Sequence, residues 1–277
     1  MTREKRRLLI GDIVGVIVTI IIFLTPFYFM FVQSIKTKKE SNQLRISWPT
    51  EGIHFENYIE VIKTRNYMLV TAFKNSIILA LVTVAILCVI SGMAGYVIQR
   101  RHDKIMKAIQ WVLLLGLMIP ASVLPTIHLL QNLHLYKTLL GMIFIEVALQ
   151  TPFTMMLFRG YMASIPVELE EAGRIDGCNA FTIFTRIIFP LLKPIQATII
   201  ILTSVTTFND FTNPLYFLPG NENATVQLTL YNFKGQFSSN YNLLFADIIL
   251  ITVPMLILFL IFNKRIVSGM VAGSVKG

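Results

Sequence analysis

The sequence predicts an all-α polytopic membrane protein with six transmembrane helices and both termini cytoplasmic. Three observations carry that prediction. Hydrophobic residues fill 55% of the 277 positions and mean hydropathy is +0.67, a composition of polytopic membrane proteins and not of soluble enzymes. Six apolar segments of roughly bilayer-spanning length punctuate the chain. Lys and Arg are shared unequally between the segments that join them. The net charge of +9 does not point to nucleic acid, because the basic residues flank apolar runs and form no single face.

The first span is 13–32, behind the basic head Arg3, Lys5, Arg6 and Arg7. A signal peptide has a shorter apolar core and a small-residue cleavage site; this run is about 20 residues long and is kept as a span. Asp12 sits at its cytoplasmic edge, where it stays wet, and Pro26 kinks or ends the helix. An external stretch, 33–75, follows. Trp48-Pro49-Thr50 breaks it, and Phe55, Tyr58, Ile59 and Ile62 then share one helical face. That face lies on the membrane surface or packs on the spans.

The second span, 76–98, carries no charge, and Ser91, Gly92, Ala94 and Gly95 permit close helix contact in its inner half. Arg100, Arg101, Lys104 and Lys107 follow it. The third, 108–130, is interrupted by Pro120 and Pro125, which either break the helix beside a cavity or make tolerated kinks. A turn at 131–137 leads to the fourth span, 139–158, with Glu146, Gln150 and Thr151-Pro152. The fifth, 190–208, is closed by Asn209-Asp210-Phe211. An external loop, 214–242, is rich in Asn, Thr and Tyr and turns at Pro219-Gly220-Asn221. The sixth span, 243–262, has Asp247 near its outer end and stops at Asn263-Lys264-Arg265. Gly269, Ala272, Gly273, Ser274 and Gly277 leave the tail little to bury, so by composition it should fray.

Orientation follows from the cations. With the N-terminus inside, the external loops after spans three and five hold only Lys137 and Lys234. The head, the segment after span two, the segment between spans four and five, and the tail are all basic. Six spans then place both ends inside.

The segment 159–189 is the most polar island of the second half. Glu168, Glu170, Glu171 and Asp176 crowd there with Arg174 and Arg186. Ser164 and Pro166 sit where a helix start wants a capping side chain and an early proline. The acids then fall at the positive end of the helix dipole. Gly177 and Asn179 punctuate the run, and a second short helix starts at Asn179. The expected form is helix, break, helix: a rigid charged knob between two spans, suited to a soluble partner.

Chemistry is conspicuous by what is missing. No glycine is followed by lysine, so there is no P-loop and the chain binds no nucleotide by that route. His54, His102, His128 and His134 have no ligand spacing, and Cys88 and Cys178 read as two free thiols, so neither a metal site nor a disulfide is expected. Asp176-Gly177 resembles the start of the CDP-alcohol phosphotransferase motif, but the later aspartates are missing, and no catalytic residue is expected. Acids within spans are expensive, which makes Glu146 a candidate either for pairing across helices or for lining a pathway, with Asn209 and Asp210 beside the fifth span.

Glu171-Ala172-Gly173, three residues, Gly177, nine residues, then Ile187-Ile188-Phe189-Pro190 resembles the E-A-A, G, I-x-L-P signature of ABC importer permeases. Gly173 stands for the last alanine and Phe189 for the leucine. In that family the loop docks into a groove on a cytoplasmic ATPase, which implies a coupling role for Glu170, Glu171, Ala172, Gly173, Asp176, Gly177, Ile187 and Pro190. Phe208-Asn209-Asp210-Phe211, the run 55–58 and the ending 268–277 resemble the carbohydrate-importing branch, and together they are similar to the second, shorter permease of maltose-type importers.

The resemblance implies one permease domain over 1–277 in a bacterial cell membrane. It also implies a homologous second permease, two ABC ATPase subunits that bind ATP and Mg, an extracellular sugar-binding protein and a sugar substrate. Ser274, Val275, Lys276 and Gly277 match a tail that reaches between the ATPases. Pro219, Gly220, Asn221 and Tyr231 are expected to touch the binding protein; Tyr216, Phe217 and Tyr231 either stack on sugar or grip that protein. Two other readings stay open: a secondary transporter or channel whose intramembrane acids couple ions, and an ABC importer of a non-sugar solute.

Overall fold

A computed structural model of the chain describes the backbone of residues 3–119, 121–235 and 239–274, and the side chains of 12–119, 121–235, 239–257 and 260. The described residues are predominantly helical, with one isolated antiparallel bridge, Lys234 to Ser239. They form two units, Met1–Leu69 with Thr229–Pro254, and Val70–Leu228 with Met255–Gly277.

In the first unit α1 (Arg3–Ser34) runs through Pro26 without ending there. Thr25, the residue before the proline, donates its hydroxyl to the Ile21 carbonyl (2.5 Å). Thr37 caps the short α2 (Lys38–Ser41) by accepting from the Glu40 N–H. α3 (Glu56–Arg100) is two helical segments joined by a break: Thr64 is extended (ψ 135°), and Arg65, Asn66 and Tyr67 all lie in the left-handed region. Such torsions cost a side-chain-bearing residue about 1–2 kcal/mol each. The surface segment before the break is held by Asn57. Its amide donates to the Ser34 and Lys36 carbonyls (2.8 and 3.0 Å) and accepts from Asn242 (2.9 Å). Asn57 and Val61 form the buried edge, while Phe55 and Ile59 are exposed. The buried Lys36 ammonium donates to the Arg45 carbonyl (2.8 Å), and Asp247 is buried and accepts from the Thr229 hydroxyl (2.8 Å).

In the second unit the helical backbone resumes after the break at Tyr67 and so begins before residue 76, and Asn75 and Ser76 serve as ties. Asn75 donates to the Glu222 and Ala224 carbonyls, and the Ser76 hydroxyl accepts from the Val226 N–H. The small residues ahead of Arg100 do what their size allows. A Cβ on Gly95 would stand 3.0 Å from the Phe158 Cβ, and Ser91 bonds Thr154 at 2.8 Å. Lipid removes most of the hydrophobic drive between helices, so such close packing and polar ties carry the association.

Asp103 caps α4 (Lys104–Met118), accepting from the Met106 N–H at 2.9 Å. That N–H, more than any other group, holds the Asp103 carboxyl below its usual range. α5 (Val123–Asn132) meets α4 at 114°. Pro125 falls in the first turn of α5, where a missing N–H costs nothing; Pro120 lies outside the described residues.

α6 (Leu139–Met162) follows, then α7 (Glu168–Ile175), α8 (Ala180–Thr182), a wide π turn (Ile183–Ile188) and α9 (Phe189–Leu191). After a 74° bend comes α10 (Lys193–Asn209). α11 (Thr212–Phe217), α12 (Val226–Thr229) and a 3-10 turn (Leu230–Asn232) precede α13 (Tyr241–Ser274).

Among the described residues three helices are individually long and apolar enough to cross a membrane: Asp12–Ser34, Glu56–Arg100 and Leu139–Met162. Each bent pair can supply one more, and Tyr241–Ile257 is a shorter apolar helix. α13 extends beyond the expected end of the sixth span. The helical backbone passes Asn263-Lys264-Arg265 and reaches Ser274. Charged side chains can hydrate at a membrane edge without interrupting the internal hydrogen-bond ladder, so the end of an apolar run is not the end of a helix.

Candidate functional site

The loop after α6 is built from its caps outward. The expected Ser164 cap does not form. Its hydroxyl donates back to the Tyr161 carbonyl (2.7 Å), and α7 starts after Val167 with no side-chain cap. Three carboxylates in the first turn, Glu168, Glu170 and Glu171, face the helix dipole instead. The C-terminus closes as expected. Gly177 takes φ +81°, its N–H bonds the Arg174 carbonyl, and the Cys178 N–H bonds the Gly173 carbonyl at 2.9 Å. These two bonds make a Schellman motif. A Cβ at Gly177 would meet nothing within 4 Å, so glycine is needed there for torsion and not for space. Asn179 then caps α8, accepting from the Thr182 N–H at 2.8 Å.

The two loop helices pack on each other through Gly173. A Cβ there would lie 2.8 Å from the Ile187 δ-carbon and 3.3 Å from Ile183. Ile183, Phe184, Ile188 and Leu192 continue into a buried cluster with Phe158 and Met162, against which Ile187 and Phe189 lean. Pro190 is exposed.

The four acids divide. Glu170 is buried and accepts from Arg100 Nε (2.6 Å) and the Tyr96 hydroxyl (2.8 Å); Arg100 also donates to the Ile165 carbonyl (2.9 Å). Glu168, Glu171 and Asp176 are exposed, with Ala172 beside them. Two large apolar side chains share that outer surface, Ile175 (86% exposed) and Phe181 (68%). Sequence reading passed over both. Ile175 could have been noticed as an apolar residue one helical turn after Glu171, on the acidic face.

Further along, Glu146 is buried in α6. Gln150 donates to it (2.7 Å) and to the Thr207 hydroxyl (2.9 Å), and these bonds join α6 to α10. The Asp210 carboxyl lies beside Glu146 and accepts from Asn213 (2.7 Å). Asn209 accepts from Gln227 (3.3 Å). No group of three or more metal-binding side chains occurs among the described residues.

In the segment after α11, Pro219, Gly220 and Asn221 are exposed, and so is Tyr231, while Leu218, Ala224 and Val226 are buried. Phe217 is a core residue, packed with Leu79, Met142 and Leu218, and so is not free to stack on a sugar. Of the tail residues, Ser274 is the last described residue of α13; Val275, Lys276 and Gly277 lie outside the described residues.

Residues 89–271, which contain both the loop and the polar cluster, match the family described as the binding-protein-dependent transport system inner membrane component. The chain belongs to this family. It is 33% identical over 255 residues to the melibiose/raffinose/stachyose import permease protein MelC of Bacillus subtilis (strain 168), covering 91% of each chain. It is 30% identical over 261 residues to the arabinooligosaccharides transport system permease protein AraQ of the same organism, covering 93% of this chain and 92% of that one. In fold it resembles a chain of a bacterial ABC transporter involved in the import of the acidic polysaccharide alginate. The TM-score is 0.81 at 21% identity, over 95% of this chain and 98% of the other. The permease is therefore a multi-pass protein of the bacterial plasma membrane and a transport component, not an enzyme.

The Schellman glycine supplies a direct test of the loop. In Gly177→Val a β-branched residue must hold φ near +81°, at a cost of about 1–3 kcal/mol. We expect uptake through the permease to fall roughly tenfold while the amount inserted in the membrane stays unchanged. Wild-type uptake by this variant would show that the shape of the loop does not matter to transport.

Proposed function

We propose that this permease is one of two related membrane subunits of an ATP-driven importer and forms, with its partner, the pathway for an oligosaccharide delivered by an external binding protein. The observation that carries the proposal is the loop: a short helix locked to the membrane domain by the buried Glu170, presenting Ile175, Phe181 and exposed carboxylates outward. A rigid knob of this kind suits a groove on a soluble motor. Glu170, Gly173, Gly177 and Ile187 shape it, while Glu171, Ala172, Asp176 and Pro190 belong to its exposed surface. The sugar class rests on the names of MelC and AraQ.

In this reading residues 1–277 form one permease domain of six spans with both termini cytoplasmic. Each bent helix pair counts as one crossing and α13 as the sixth. Two ABC ATPase subunits hold ATP and Mg, since this chain has no P-loop; the 274–277 tail reaches toward them. Exposed Pro219, Gly220, Asn221 and Tyr231 face the binding protein. Alternating access then moves the cavity between the two faces as the ATPases close. A second reading, an ATPase-independent transporter, is favoured only by the buried Glu146 beside Asp210.

Purification of the complex separates the readings. We expect an ATPase subunit to accompany the permease, and ATP hydrolysis to rise when binding protein and oligosaccharide are added together. Transport by a preparation free of any ATPase would overturn the proposal. Stimulation by an amino acid or a glycerol phosphate, with none by sugars, would change the cargo alone.

A further inference from the structure

Beside the basic residues that follow the second span, two cavities of opposite character adjoin. The first is a groove of about 490 Å³ between α3 and α4, walled by apolar side chains that include Ile90, Met93, Val97, Met106 and Ile109. The second, about 170 Å³, carries Arg101, His102, Lys107 and Arg159, with the Gln99 and Gln110 amides. Ile98 and Met106 line both, so one opens toward the other.

The charges there are partly compensated. Arg101 is paired with Asp103 (2.7 Å), and Arg159 Nε donates to the Gln99 side-chain amide oxygen Oε1 (3.2 Å). The Lys107 ammonium has no hydrogen-bond or ion-pair partner among the described residues, its backbone N–H being bonded to the Asp103 carbonyl at the start of α4. The remaining guanidinium N–H groups of Arg159 also face a polar cavity. An apolar slot that ends in cations matches a ligand with an acyl chain at one end and an anion at the other. A free phosphate leaves the slot empty. A neutral lipid leaves the cations unpaired.

We propose that this composite cavity binds one anionic phospholipid of the cytoplasmic leaflet, its acyl chain in the Ile90–Ile109 groove and its phosphate among Lys107, Arg159 and Arg101. The leaflet assignment rests on the orientation proposed above. Arg159 stands in the last turn of α6, just ahead of the loop, and Gln99 precedes the Arg100–Glu170 tie, so the lipid sits where it can stiffen the base of the coupling loop.

The test uses the assembled complex in phosphatidylcholine bilayers with and without phosphatidylglycerol. Lipid retained after purification in mild detergent is counted by mass spectrometry. We expect phosphatidylglycerol to be retained in preference to phosphatidylcholine, with Lys107→Gln weakening that preference roughly fivefold and Lys107→Glu more. Ala94→Trp, which fills the groove and leaves every charge in place, should abolish retention. Equal retention of both lipids, or retention untouched by these substitutions, overturns the proposal. So does full displacement by inorganic phosphate, which assigns the pocket to a free anion. Cross-linking from position 94 to the second permease overturns it as well, because a subunit then fills the groove. Binding-protein-stimulated ATPase activity is measured on the same samples. In the wild type, absent lipid selectivity with intact stimulation sinks the lipid site alone, and lost assembly sinks the functional reading. Labelling of Lys107→Cys from the external side reverses the leaflet and overturns the assignment.

Discussion

Glu170→Ala should reduce uptake by well over tenfold and lower the thermal stability of the permease, because the residue is buried and ties the loop to α3. Its side chain is 2% exposed and that of Arg100 is 16% exposed. Removing the carboxylate strands a guanidinium whose other recorded acceptor is the Ile165 carbonyl. Breaking one side of such a buried pair costs about 3–5 kcal/mol, far more than the pair gains over apolar replacements. The Tyr96 hydroxyl loses its acceptor as well.

Glu170→Gln keeps the shape and an acceptor oxygen and should fall between alanine and wild type. Replacing both partners together, with Glu170→Leu and Arg100→Met, should recover much of the stability without restoring uptake, if the tie also sets the angle of the loop. Glu171→Ala next door is the control. Glu171 is exposed, so its effect on stability should stay within about 0.5 kcal/mol, and any loss of uptake must come through a partner. Equal destabilisation by Glu170→Ala and Glu171→Ala, read from melting curves, would remove the distinction drawn between them.

The second large effect is expected at Gly141. A Cβ there would stand 2.2 Å from the Leu135 carbonyl oxygen and 3.1 Å from its carbon. Both are backbone atoms, so no rotamer change can relieve the clash. The neighbouring turn has little freedom to retreat. His134 and Lys137 are already left-handed (φ 58° and 66°), the Thr138 hydroxyl accepts from the Gly141 N–H, and the Lys137 N–H is bonded to the Phe217 carbonyl.

Gly141→Ala gains up to about 1 kcal/mol of helix propensity. Overpacking of about 1–3 kcal/mol, rising toward its upper end where backbone must move, outweighs that gain. We expect a fall in melting temperature of several degrees and a loss of assembled complex. Gly160→Ala, in the same helix with nothing within 4 Å, should be neutral or slightly stabilising. A melting temperature lowered as much by Gly160→Ala as by Gly141→Ala would refute the steric account.

What the sequence determined by itself was local. An apolar run of span length marks a membrane helix because the bilayer thickness sets its length. Gly177 and Asn179 mark the end of one loop helix and the start of the next, because a left-handed torsion and a side-chain cap are properties of single residues and their near neighbours. Ser91 and Gly95 announced close contact through size alone, and the bonding of Ser91 and the packing of Gly95 agree with that expectation.

What only the tertiary structure decided was which of several equivalent local choices had a distant partner. Four acids in one short stretch look alike in sequence. Glu170 alone turns inward, because Tyr96 and Arg100 come to it from 74 and 70 residues away in α3. Ser164 could have capped α7 but bonds Tyr161, since the chain leaves α6 in a tight turn. Phe217 and Tyr216 are adjacent aromatics, and only packing assigns one to the core and leaves the other exposed. At Gly141 nothing in the neighbouring residues forecasts that the Leu135 carbonyl will fold back onto the helix. An α-helix rotates its side chains by about 100° per residue, so which of them meets a partner depends on where the other helices lie.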